Sequence, residues 1–332
     1  MTKNTHEYEY KNLSQSKPLL AFDESNHLEE WQNAVKEKLT ELLGLPLTLC
    51  EPCLTVESTE TLDDRTEYYF TVQTEPGYIV PCWLFVPSGN NFAPLTICLS
   101  GHDNGMHIAA GKPKSQEDID DLNEWPHRAT GLRAIREGRC ALIIEARNFG
   151  EASLKGFGTS CTEAGKIAIL MGRTVIGERV WDAMRILDAV IDYFHINTEN
   201  IVCTGNSGGG TATYYLACMD KRIAAAAPSC AVCTYESSIA AMYHCMCNHI
   251  PSIRKFFEMG DLAALIVPRK LVIAAGEKDT IFPLDGVCKT YATIQKIYSA
   301  FGADNQCALV IGNSGHYNYA DLIWSKLHEM GI

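Results

Sequence analysis

The chain has 332 residues, 46% hydrophobic and 20% charged, which excludes a disordered protein and allows a large buried core. Its formal net charge is −12 and it has no Lys/Arg cluster, so a nucleic-acid partner is not expected. No apolar run approaches the roughly 18 residues that cross a bilayer, and residues 1–11 are polar with no apolar stretch behind them, so neither a membrane span nor a signal peptide is expected. The 14 cysteines then read as reduced thiols in a cytoplasmic protein rather than as a disulfide framework.

In chain order, residues 1–45 read as an N-terminal helical extension. Trp31, Val35, Leu39 and Leu42/Leu43 recur at helical spacing across 28–43, and Gly44-Leu45-Pro46 ends the helix. Residues 68–74 and 78–86 are aromatic and β-branched, and Pro76-Gly77 between them predicts a hairpin. Short apolar runs then follow at 95–99, 140–145, 201–204, 223–227, 270–275 and 307–311, with an amphipathic helix at 180–194. Alternating strands and helices predict a mostly parallel sheet with helices on both faces, filling 46–332 as one α/β domain. The stretch 228–262 breaks the alternation and reads as a cap insertion over one end of the sheet.

Gly205-Asn206-Ser207-Gly208-Gly209 lies between the strand 201–204 and a helix predicted over 211–219. That is the setting of a G-x-S-x-G nucleophile elbow, in which a strained turn lifts the serine hydroxyl clear of the sheet and the flanking glycines avoid collisions. A plain glycine-rich phosphate loop is the competing reading, but no Lys follows as in a P-loop. Gly312-Asn313-Ser314-Gly315-His316 nearly repeats the pattern, yet it lacks the last glycine and lies too late to precede an acid and a base.

In this arrangement the acid and then the histidine follow the serine along the chain. His316 comes just after the run 307–311, where a base at a strand end would sit; His328 falls in a predicted terminal helix. Asp279, after the run 270–275, is the chosen acid, with Glu277 and Asp285 as competitors and an N-cap role as its bland alternative. Two backbone N–H groups would hold an oxyanion: that of Gly208, and one in the loop 100–105, either His102 or, as the alternative, Asp103.

His244-Cys245-Met246-Cys247-Asn248-His249, with Cys230 and Cys233 nearby, has the residue types of a metal site but not the spacing of a common zinc motif. The expectation is therefore packing or pocket lining, with no metal and no cofactor.

Ser100-Gly101-His102, Arg147-Asn148-Phe149-Gly150-Glu151, Gly177-Glu178-Arg179-Val180-Trp181-Asp182, the Ser207 elbow and Asp279-Thr280-Ile281-Phe282-Pro283 together resemble the acetyl-xylan-esterase and dienelactone-hydrolase-like branch of the α/β-hydrolases, over about residues 80–325. The resemblance implies hydrolysis of small acyl or sugar esters through an acyl-enzyme. It departs from dienelactone hydrolases proper, which use cysteine where this chain has Ser207. The expected partner is a small-molecule ester, and a homo-oligomer is compatible with the sequence. The rival readings are a serine peptidase of the same fold and a hydrolase-fold protein that binds without catalysis.

Overall fold

The computed structural model describes residues 2–90 and 92–332. Its strands are β1 Leu54–Thr61, β2 Arg65–Glu75, β3 Tyr78–Pro87, β4 Pro94–Leu99, β5 Cys140–Ile144, β6 Asn197–Asn206, β7 Ile223–Ser229, β8 Lys270–Gly276 and β9 Cys307–Gly312. All join one sheet in the order β1-β2-β3-β5-β4-β6-β7-β8-β9. β1, β2 and β3 pair antiparallel, as do β3 and β5, and every pairing from β5 to β9 is parallel. The six apolar runs of the sequence are the six parallel strands. They are legible because a strand covered on both faces is apolar throughout.

The helices are α1 Thr5–Gln15, α2 Leu28–Leu43, α3 Met106–Ala109, α4 Gln116–Glu124, α5 Thr130–Arg136, α6 Cys161–Leu170, α7 Val175–Phe194, α8 Gly208–Met219, α9 Ile253–Phe256, α10 Leu284–Ala300 and α11 Ala320–Glu329. α7 begins five residues before its predicted start. Every residue from Val175 to Ala183 is buried, so its first turns carry no amphipathic signal, and the Thr174 hydroxyl caps it by accepting the Gly177 N–H at 3.0 Å.

α2 buries Trp31, Val35, Leu39 and Leu43 in the same core cluster as Leu95, Ile97, Cys203 and Leu271. Each such side chain contributes about 1.5–3 kcal/mol of burial. The Thr174 hydroxyl donates to the Leu43 carbonyl at 3.0 Å, fastening the end of α2 to the start of α7. α1 buries no residue, and its Tyr10 hydroxyl donates to the Glu236 carbonyl in the insertion. β1 is a polar edge strand, exposed over its last five residues and bulged between Val56 and Ser58. With little apolar alternation, β1 is held by its ladder to β2, and its charges discourage pairing with another chain.

The segments 147–151 and 177–182 meet in a buried ionic cluster. Arg147 donates to Asp182 at 2.6 and 2.8 Å and to Glu75 at 2.7 Å, and the Thr74 hydroxyl donates to Asp182 at 2.6 Å. The Trp181 indole N–H donates to the Thr74 carbonyl at 2.8 Å. This cluster ties the β2–β3 hairpin to α7, and removing one charge would strand its partner in a low-dielectric interior.

Candidate active site

The carboxyl ends of β4, β6, β8 and β9 open on one cavity of about 540 Å³. This is where ligands bind in open parallel sheets. Ser207 follows β6 directly and is held at φ 54°, ψ −121°, a conformation that non-glycine residues avoid. Its N–H donates to the Ser229 carbonyl on β7 at 2.9 Å, and its carbonyl accepts from Thr211 at 2.8 Å. The elbow is possible only because β4 can approach it closely. A Cβ on Gly209 would lie 2.0 Å from the Leu99 carbonyl oxygen, and one on Gly205 would lie 2.5 Å from the same atom. α8 starts at Gly208, three residues earlier than predicted, so its first N–H groups sit beside Ser207.

His316 Nδ1 lies 2.9 Å from Asp279 Oδ2. The other Asp279 oxygen accepts the N–H groups of Ile281 at 2.8 Å and Phe282 at 3.1 Å. Burial works to raise the Asp279 pKa, but His316 and the two N–H donors outweigh it and hold the carboxyl below its ordinary range. Of the three candidate acids, Asp279 is buried, whereas Glu277 and Asp285 are exposed. Phe282 stacks on the His316 ring with centroids 5.9 Å apart at 15°, which fixes the ring plane. Ser207 and His316 line the same cavity. No described hydrogen bond joins them, a contact that commonly tightens only when substrate is bound.

The loop 100–105 approaches the elbow from β4. A Cβ on Gly101 would lie 3.0 Å from the Asn206 carbonyl, and one on Gly208 would touch His102 Cε1 at 2.8 Å. The Asp103 N–H turns back to the Gly101 carbonyl at 2.8 Å, while the described hydrogen bonds include none from the His102 N–H. That geometry favours His102 over Asp103 as the loop's free donor. Ser314, the lookalike, is an exposed loop residue whose carbonyl accepts from Lys278 at 2.9 Å. His328 is exposed beside Glu137, at 3.0 Å.

Residues 243–248 supply another wall, through Tyr243, His244, Cys245 and Asn248. The His/Cys residues grouped in sequence do not stay together. His244 faces Ser238 at 3.1 Å, and His249 faces the Cys245 carbonyl at 3.1 Å. Cys230 Sγ donates to the Tyr317 carbonyl and Cys233 Sγ to the Pro283 carbonyl. Cys230 does lie within 4.8 Å of Asp279 and His316, but burial pushes its thiol up to about 12, so it is neutral there. Cys245 and Cys247 instead converge with Cys161 and His102, two residues that sequence spacing could not associate with them.

Also missed in the sequence was Glu145, just past β5. It accepts the Met106 N–H at 3.1 Å and the Glu151 N–H at 3.2 Å, and burial raises its pKa to about 8. A buried carboxyl flanked by main chain has no local pattern to reveal it.

Residues 7–297 match the Abhydrolase family. The chain belongs to that family. The match includes Ser207 and Asp279 and stops short of His316. Within this α/β-hydrolase group, the chain is 26% identical over 239 residues to the putative hydrolase YtaP of Bacillus subtilis (strain 168), covering 71% of this chain and 78% of that one. Its fold is similar to that of a putative acetyl xylan esterase from Bacteroides fragilis NCTC 9343, with a TM-score of 0.85, 17% identity, and coverage of 99% and 96% of the two chains. It is also similar to a glucuronoyl esterase from Solibacter usitatus, with a TM-score of 0.68, 13% identity, and coverage of 95% and 96%. The hydrolase fold of this family member is therefore shared with esterases. No helix of the described residues is long and apolar enough to cross a membrane.

Proposed function

We propose that this chain is a serine carboxylesterase in which Ser207 is the nucleophile, His316 the base and Asp279 the residue that orients it. One observation carries the reading: His316, held at 2.9 Å by the buried Asp279 behind it, and a serine at φ 54° line a single cavity. His316 takes the Ser207 proton as Oγ attacks the ester carbonyl. The N–H groups of Gly208 and His102 receive the oxyanion. His316 protonates the departing alcohol, and a water that it then deprotonates releases the acid. Asp279 stays ionised throughout and selects the Nδ1–H tautomer.

The alcohol we assign is a sugar, carrying a small acyl group such as acetate. Ser100, His127, Thr130 and Asn206 bring polar side chains to the cavity wall. Burial lowers the His127 pKa to about 4, so its ring is neutral and can accept or donate to a hydroxyl. Trp125 and Tyr317 add aromatic faces, 5.6 Å apart between centroids, on which a pyranose can pack. The esterase names of the similar structures agree with this chemistry. The 14 free cysteines suit a reducing cytoplasm.

The test is Ser207→Ala on p-nitrophenyl acetate, with fluorophosphonate labelling. Both signals should vanish, and wild-type turnover by the variant would refute the mechanism. A panel of acetylated xylo-oligosaccharides, methyl glucuronates and aliphatic esters should give the highest kcat/KM on the acetylated sugars.

A further inference from the structure

We propose that His102, Cys161, Cys245 and Cys247 bind one zinc ion in a closed, four-coordinate site beside the cavity. One donor atom from each side chain lies within 4.8 Å of the other three, and His102 Nε2 is already 3.3 Å from Cys247 Sγ. A tetrahedral zinc with Zn–S of about 2.3 Å and Zn–N of about 2.0–2.1 Å has donor–donor edges of roughly 3.5–3.8 Å. Closing the cluster onto a metal therefore needs side-chain shifts of about 1 Å or less. The donors come from the loop after β4, the start of α6 and the insertion, so the fold assembles them, not their neighbourhood in the chain. Three soft thiolates with one imidazole, and no carboxylate in the set, select zinc over the hard cations.

Charge gives a second, independent reason. Arg179 is 5% exposed. Its described polar partners are the Arg147 carbonyl, at 3.2 and 2.8 Å, and Cys161 Sγ at 3.2 Å; its guanidinium lies 4.1 Å over the Phe149 ring. None of these is a carboxylate, and a buried guanidinium needs a counter-charge. Zinc with three thiolates and a neutral imidazole carries a net charge of −1, which Arg179 neutralises. The Arg179 N–H to Cys161 Sγ and the Asn248 amide to Cys247 Sγ at 3.9 Å supply the outer hydrogen bonds that thiolate ligands require.

With four protein ligands the ion has no open position, so it holds structure and does not react. It ties the loop carrying His102 to the insertion and to α6, and thereby fixes the main chain next to Ser207. The site stands on its own donor set, whatever the reaction in the cavity.

The experiment uses untagged full-length protein from zinc-supplemented cells. Elemental analysis should find about one zinc per chain. Exchange into cobalt(II) should give thiolate-to-cobalt charge-transfer absorption and tetrahedral d–d bands. Cys161→Ser combined with Cys247→Ser should lose the metal, while Cys53→Ser, at an exposed thiol, should keep it. Folded wild-type protein that holds no zinc and gives no cobalt bands would overturn the proposal. So would full zinc retention in the double variant, or a disulfide mapped by peptide mass to Cys161, Cys245 or Cys247. The cobalt spectrum is read on the wild type, so a variant that fails to fold does not blunt the test.

Discussion

Two walls, one lining the cavity and one set beside it with only His102 and Cys245 at its surface, each hold a histidine among potential anions, and they are built in opposite ways. On one wall, Ser207, Asp279 and His316 each follow a parallel strand, and the sheet spaces them. On the other, His102, Cys161, Cys245 and Cys247 come from a loop, a helix start and an insertion. The first wall is set by regular secondary structure, so local sequence patterns announce it. The second depends on how irregular segments pack, and no local pattern announces it. Two kinds of carboxyl group also separate here. Asp279 is kept ionised by donors aimed at it, whereas burial keeps Glu145, with two backbone donors, protonated up to about pH 8.

The largest effect that would break this comparison is at the elbow. Ser207→Ala should lower kcat by about a millionfold in steady-state assays, the scale of losing a triad nucleophile. Asp279→Asn should cost about 10⁴-fold in kcat while KM changes little, because the amide favours the wrong imidazole tautomer. A loss under tenfold would reassign the acid to Glu277 or Asp285.

Gly209→Ala tests the steric basis of the same wall. Its Cβ would meet the Leu99 carbonyl at 2.0 Å, so urea denaturation should show a loss of about 3 kcal/mol or more. Glu145→Gln sharpens the contrast between the carboxyls. The folded pKa of Glu145, about 8, lies above the ordinary 4.5, so the folded state holds the extra proton between those values. Its contribution to stability is fully present below pH 4.5 and is lost as pH rises through about 8. The variant should lack that decline, measured by thermal unfolding from pH 5 to pH 9. The smallest effect is at the hairpin turn. Gly77 has φ +80° with nothing within 4 Å of a Cβ, so Gly77→Ala should cost about 1 kcal/mol in urea denaturation, from backbone strain alone.

Sequence by itself determined the six parallel strands, the hairpin, helix α2 and the residues of the elbow. Each is written in short-range terms: an apolar run, a Pro-Gly turn, a 3.6-residue period, a G-x-S-x-G turn between strand and helix. The order serine, acid, histidine already pointed to Asp279 over Glu277 and Asp285, and the observed burial and the 2.9 Å contact with His316 are what tertiary structure adds to that choice. Tertiary structure alone decided the rest. It extended α7 back to Val175, where burial on every side erases periodicity, and held the polar strand β1 by its ladder to β2. It buried α2 in the main core, and it set Arg147 against Asp182 and Glu75. It also split the His244–His249 run and placed two of its cysteines with Cys161 and His102. Distances between residues far apart in the chain are fixed by packing, and packing leaves no period in the sequence to read.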